Sequence, residues 1–316
     1  MNIGLAFDLL LALLITTVAA ASMVSRALLT SVVLFIVYGV LAAIAWVRLG
    51  AVDVALAEAA IGAGLTGLLL IGALGRLQPL TRACAAGPSR PKHSLLATIG
   101  LAAGCAALSL ALCWLVLSVE PAGTGLRSVV ASQLDQSGVT NPVTAVLVNF
   151  RGYDTLVETV VLLVALIGVW SLTPDGVWGG RPGPTQQAAP DGVLAYFGRL
   201  LPAVGVLVGI HLLWAGSTAP GGAFQAGTVM AAVWLVAALA ALTDAPAITS
   251  AALRAALIAG PALFLLLGTV GALAGTFLVF PVAVAKAMIL FVESAIVVSV
   301  AATLAMLVLG APRRLP

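Results

Sequence analysis

Residues Ala51–Leu74, AVDVALAEAAIGAGLTGLLLIGAL, decide the fold. The run is long enough for a helix to cross a bilayer, which takes about 20 apolar residues, yet it carries Asp53 and Glu58. A carboxylate near the middle of the hydrocarbon costs about 2.5–3.5 kcal/mol even on the gentlest insertion scale, so something must compensate it. The two acids lie about 140° apart around a helix at ~100° per residue and need not share one partner. Glu58 and Gly62 share a face. Gly62, Gly64 and Gly67 leave that surface almost bare, which lets another helix approach and lets water or an ion reach the carboxyl. Two roles fit Glu58: a station on a proton or cation path, or a paired side chain that docks neighbouring helices. Asp53 fits the same path or a cap at the helix entrance.

Outward from this stretch the chain is similar in character. Its 316 residues are 62% hydrophobic and 8% charged, with a mean hydropathy of +1.20, where soluble domains carry about 25% charged residues. The fold class is therefore all-α, a polytopic membrane protein. Apolar runs of about 20 residues predict nine spans, near Ile3–Val24, Ala27–Val47, Val52–Leu74, Leu95–Val119, Tyr153–Leu172, Val193–Ala215, Phe224–Leu242, Ala255–Leu278 and Val282–Leu309. With the N-terminus outside and the C-terminus inside, ten Lys/Arg fall in inner connections and only Arg48, Arg127 and Arg151 in outer ones, the asymmetry that orients membrane proteins. The basic residues are scattered between spans, so the net charge of +3 reflects topology and not nucleic acid. Cys84, Cys105 and Cys113 have no CxxC spacing and indicate neither a disulfide framework nor a metal site. Asp8 stands where a signal peptide would have a basic region, so the first run reads as a retained helix.

Two Pro- and Gly-broken connections, Gly75–Ser94 and Thr173–Gly192, read as cytoplasmic linkers. They divide the chain into a three-helix module (1–94), a two-helix module with its linker (95–192) and a four-helix module (193–316). The outer connection Glu120–Asn149 is too long for a tight turn and suits a short helix at the surface. Asn141-Pro142 then restarts the chain toward the fifth span.

Three constellations carry possible chemistry. Arg151, Asp154 and Glu158 in RGYDTLVE fall at i, i+3 and i+7 along one helical face. Arg151 and Asp154 suit either an interfacial anchor and cap or, with Asp154 on an ion or proton path and Arg151 as its auxiliary, a functional stripe, whereas Glu158 lies deeper and suits a functional or helix-docking role. In the last span Lys286 and Glu293 are seven residues apart, on one face but separated by ~10.5 Å of rise. They are either the parts of a proton relay or a compensated structural pair. Between the sixth and seventh spans, STAPGGAFQAG cannot continue a helix at Pro220-Gly221-Gly222, and Gln225 follows. This is either a tight outer turn or irregular backbone lining a wet cavity. His211 is the single histidine in a span and suits a packing role better than proton transfer.

No nucleotide-binding, nucleophile-elbow or zincin motif is present. The sequence thus predicts no enzyme and no cofactor. What remains is movement of ions or protons, or support of a partner that moves them.

In order, the motifs resemble one family. DVALAEAAIGAGL is similar to the C-terminal domain of the A subunit of Mrp-type multisubunit cation/proton antiporters and to its free-standing counterpart in membrane-bound hydrogenases. VNFRGYDTLVETVVLLVALIGV looks like the two-helix module that follows it there. APGGAFQAG with a charged final span resembles the B subunit of the same antiporters, although Ala223 replaces a glycine of that turn and the modules are fused differently. The resemblance implies an inner-membrane subunit of a monovalent cation/proton antiporter. Its implied partners are Na+ or another monovalent cation, H+, membrane lipid, and large subunits like those of respiratory complex I. It places the family's acidic positions on Asp53, Glu58, Asp154 and Glu158. A hydrogenase-linked respiratory subunit and a purely structural assembly subunit are the alternatives.

Overall fold

The structure is a computed structural model that describes residues 3–85, 95–119, 125–183, 189 and 192–313. Parts of all three long connections lie outside the described residues, as does the side chain of Cys84. Helices α1 (Ile3–Val24) and α2 (Leu28–Arg48) form a hairpin. Helix α3 is composite: α-helical over Val52–Ala57, π-helical over Glu58–Leu65 and α-helical again over Thr66–Ala85. Helix α4 (Leu95–Ser118) and the short α5 (Arg127–Gln133) follow. Helix α6 begins as Pro142–Thr144 and becomes π-helical over Ala145–Phe150, after which come α7 (Gly152–Ser171), α8 (Val193–Ala215), α9 (Ala223–Leu239), α10 (Ala251–Leu273) and α11 (Val282–Leu309).

Among the described residues, eight helices are long and apolar enough to cross a membrane, and α9 is a shorter apolar helix of 17 residues. The chain is an all-α, multi-pass membrane protein. Three predicted spans move. The third continues as a helix to Ala85, past Leu74 and through Pro79 into the connection read as a linker. The seventh run stops at Leu239 instead of Leu242, because Ala241 takes a positive φ of 57°, a conformation that ends helices. The eighth runs over Ala251–Leu273 instead of Ala255–Leu278. The Ser250 side chain accepts from the Leu253 N–H to cap its start, and Gly275 at φ +87° follows its end.

Two compact units emerge, one of residues Met1–Leu74 and Gln133–Pro316, the other of Gly75–Ser132. The smaller unit holds α4, whose span has no buried residue and whose Cys105 and Cys113 are exposed. In the larger unit α11 is the central element: 72% of its most apolar window is buried, and α7, α8, α9 and α10 all pack on it. In a bilayer helices associate through close packing and hydrogen bonds, because lipid is as apolar as the side chains. Both devices are present. A Cβ at Gly227 of α9 would sit 2.8 Å from Val300 of α11, so only glycine allows that approach. The Ser299 hydroxyl of α11 donates to the Leu257 carbonyl of α10 at 2.6 Å.

Polar contacts fasten other parts of the unit. Strands β1 (Arg181–Pro182) and β2 (Pro312–Arg313) pair antiparallel, so the second linker is tied to the C-terminal tail. Arg181 also reaches Asp244 at 2.9 Å. In the first hairpin Arg48 pairs with Asp8 at 2.8 Å and lies over the Phe7 ring.

Candidate functional site

The turn between α8 and α9 is where the three modules meet. Gly222 takes φ 126°, ψ −175°, a region open essentially to glycine alone, and its N–H donates to the Leu212 carbonyl at 3.0 Å. From the second module, Asn141 Nδ2 donates to the carbonyls of Gly216 and Ala219, and the Thr144 hydroxyl donates to Gly216. Asn141 Oδ1 meanwhile accepts from the Val143 N–H, so this one side chain starts α6 and fastens the turn. From the first module, Asp53 Oδ1 accepts from the Gly221 N–H at 3.0 Å, and its backbone carbonyl accepts from Gln225 Nε2 at 3.3 Å.

Beside this turn lies a cavity of about 260 Å3 lined by Asp53 of α3, Thr144 of α6, Thr155 and Glu158 of α7, Gly222 and Gln225 after the turn, and Glu293 of α11, among others. Glu293 is 3% exposed, its Oε2 has no hydrogen-bond partner, and the backbone N–H of Ala223 lies beside its carboxyl. An unpartnered buried polar atom is costly, and here it belongs to a carboxyl, a group able to hold a proton or accept a cation. Glu158 remains exposed while lining the cavity and marks its open side. The Thr144 and Thr155 hydroxyls donate their hydrogens to the carbonyls of Gly216 and Leu147. Each therefore has only lone pairs left for the cavity. No Lys, Arg or His is in the lining, which is mostly apolar; its side-chain oxygens are those of Asp53, Glu158, Glu293, Thr144, Thr155 and Gln225, a donor set suited to a proton or a hard cation. Among the described residues no three acids, cysteines or histidines stand close enough together to hold a metal ion.

The residues singled out from sequence separate into two groups. Asp53, Glu158, Glu293 and Gln225 come together at the cavity. Glu58, at the first position of the π-helical segment, is half-buried, is not in the cavity lining, and folds over the space that a side chain at Gly62 would need. Asp154 is exposed and pairs with Arg151 at 2.7 Å, and its side chain forms no cap. Lys286 is exposed and His211 is exposed, both outside the cavity lining. Lys286 and Glu293 are therefore not brought together. Asp53 does not cap its own helix, whose N-cap Ala51 has no side-chain bond.

The α6 lead-in is a feature that spacing alone does not reveal. Val143, Thr144, Leu147 and Val148 line the cavity, and Ala145 and Val148 are buried, although their sequence suits a surface connection. Neither π-helical segment is foretold by the sequence. Such segments are frequent at functional sites, and here one begins at Glu58 and the other leads to Arg151, where the backbone breaks at φ −132°, ψ 36°.

Three family models match in order: MbhD, a subunit of MBH, over residues 13–79; MbhE, also a subunit of MBH, over 90–175; and MnhB, the domain related to the MnhB subunit of the Na+/H+ antiporter, over 193–311. A chain of the Mrp complex from Dietzia sp. DQ12-45-1b is similar in structure, with a TM-score of 0.71 and 25% identity over 96% of this chain and 35% of that one. The chain thus spans about a third of that relative's length. A chain of the membrane-bound sulfane sulfur reductase, an archaeal respiratory membrane complex, shares the fold with a TM-score of 0.55 and 21% identity, over 68% of this chain and 97% of that one. No curated protein sequence matches. One polypeptide thus carries, in order, segments that match the MbhD, MbhE and MnhB-related family models, on a fold similar to that of a chain of the Mrp complex.

Proposed function

We propose that this chain serves in the cell membrane as a subunit of a multisubunit monovalent cation/proton antiporter of the Mrp type, together with large antiporter-like subunits. The observation that carries the reading is the convergence of acidic groups from all three modules on one cavity, with the Glu293 carboxyl buried and half unpartnered. Ionisable groups inside a membrane are expensive and mark ion or proton paths. In this reading Glu158, at the open side, exchanges protons or Na+ with its surroundings, and Glu293 holds the charge within. In this reading the chain catalyses no reaction itself and depends on its partners to complete the path. Lipid covers the remaining apolar faces, with the N-terminus outside and the C-terminus in the cytoplasm.

The test is exchange by the assembled complex in sealed vesicles, read as proton movement after a Na+ jump. Glu158→Gln and Glu293→Gln keep size and hydrogen bonding but remove the titratable charge. Complexes that assemble normally and exchange at least tenfold more slowly support the reading. Unchanged exchange rejects it.

A second reading, a role in a complex powered by redox partners, is favoured by the two MBH-type domain matches and by the likeness to a respiratory complex. Purifying the native assembly and finding redox-centre subunits in place of a second antiporter subunit would select it.

A further inference from the structure

Asp53 lines the cavity, yet its contacts differ in kind from those of Glu293. One oxygen of its carboxylate, Oδ1, accepts the Gly221 N–H at 3.0 Å, while the backbone carbonyl of the same residue takes the Gln225 side-chain amide at 3.3 Å. These two bonds grip the turn before and after Gly222, the residue held at φ 126°. The far side of the turn is gripped in turn by Asn141 and Thr144. What the clamp sets is visible at Gly222, where a Cβ would lie 3.5 Å from Gln225 Oε1 and 3.6 Å from Glu293 Oε1. With its NH2 group engaged by Asp53, Gln225 presents its oxygen on the same side as the Glu293 carboxyl. The Ala223 N–H beside Glu293 belongs to the same turn.

A cation taken up by Asp53 would compete with the Gly221 N–H for Oδ1 and loosen the turn that carries Ala223 and Gln225. Glu293 Oε2 has no partner to lose. The geometry points to Asp53 as a positioning residue: it clamps the Gly221–Gly222 turn so that Gln225 and the Ala223 N–H face Glu293, and it does not itself carry the transported charge. This rests on the reading of the cavity as part of the charge path. It takes from Asp53 the transport role that its place in the apolar stretch suggested.

The experiment compares Asp53→Asn, Asp53→Ala and Glu293→Gln in the complete complex, purified and placed in sealed vesicles, with subunit composition checked on native gels. Asparagine keeps the acceptor oxygen and the backbone carbonyl but has no carboxylate. The clamp predicts that D53N assembles, loses no more than about threefold in exchange rate, and keeps the wild-type pH dependence and half-saturating Na+ concentration. D53A loses at least about tenfold, and adding Gly222→Ala to it costs less than a further twofold, because both changes release the same turn. A D53N complex that fails to assemble, or that assembles and is as inactive as D53A, overturns the clamp. So does a D53N complex whose pH dependence is displaced. If D53N is inactive while E293Q is inactive too, only the positioning role fails. Unimpaired exchange by E293Q overturns the charge-path reading and this inference with it.

Discussion

Lys286 and Glu293 share helix α11 two turns apart, but Lys286 is exposed and Glu293 is 3% exposed and lines the cavity. Their common face does not give them a common environment: the Lys286 side chain is exposed, whereas Glu293 enters the cavity lined also by α6, α7 and the Gly221–Gly222 turn. The pair separates into a buried carboxyl and a lysine whose stem suits reaching the membrane interface. Lys286→Met therefore lowers exchange by less than about twofold, whereas Glu293→Gln lowers it at least tenfold, about 1.4 kcal/mol or more in the barrier. Parallel rate measurements on the two assembled variants check this.

Close packing of α9 on α11 makes a separate prediction. A methyl at Gly227 meets Val300 at 2.8 Å, and overpacking of this kind costs about 1–3 kcal/mol. Gly227→Ala lowers the thermal stability of the detergent-solubilised complex by that amount, read from its unfolding midpoint.

The Ser299 hydroxyl bond to Leu257 joins α11 to α10. Hydrogen bonds between membrane helices average about 0.6 kcal/mol, so Ser299→Ala destabilises the protein by about that much and leaves exchange intact. The comparison of melting and transport for this one variant separates packing from function.

At the opposite end, Arg181 and Asp244 pair at 2.9 Å, but their side chains are 45% and 82% exposed. Exposed pairs are worth about 0–1 kcal/mol. Arg181→Ala therefore shifts stability by no more than about 0.5 kcal/mol, measured by the same melting experiment.

Much of the helical layout was legible because a bilayer demands about 20 apolar residues per span, and that length is written directly in the chain. Helix ends were less legible: Ser250 capped α10 a full turn before the apolar run suggested. The site was legible as parts and not as a whole. Asp53, Glu158 and Glu293 stood out as acids in oil, while their convergence depends on how separate helices cross. Glu58 looked the strongest of them by that criterion, yet it stands at a π-helical start that no spacing of apolar residues announces, outside the cavity lining. Thr144 and Thr155 were not legible at all, because a threonine in an apolar stretch carries no signal of its own. Their hydroxyls matter only where Gly216 and Leu147 take their hydrogens. Residues Asn141-Pro142 did carry a signal, a helix start, but not the second use of Asn141 as a fastener of a turn 75 residues away.

On the proposed function, Glu293 is a charge-binding carboxyl inside a cavity lined by residues of all three modules. Labelling the native complex with a membrane-permeant carbodiimide, which attacks protonated carboxyls in apolar surroundings, and locating the adduct by mass spectrometry tests it most directly. The account predicts that Glu293 is modified and that raising Na+ slows the modification several-fold. A Glu293 that stays unlabelled, or is labelled at a rate indifferent to Na+, would contradict it.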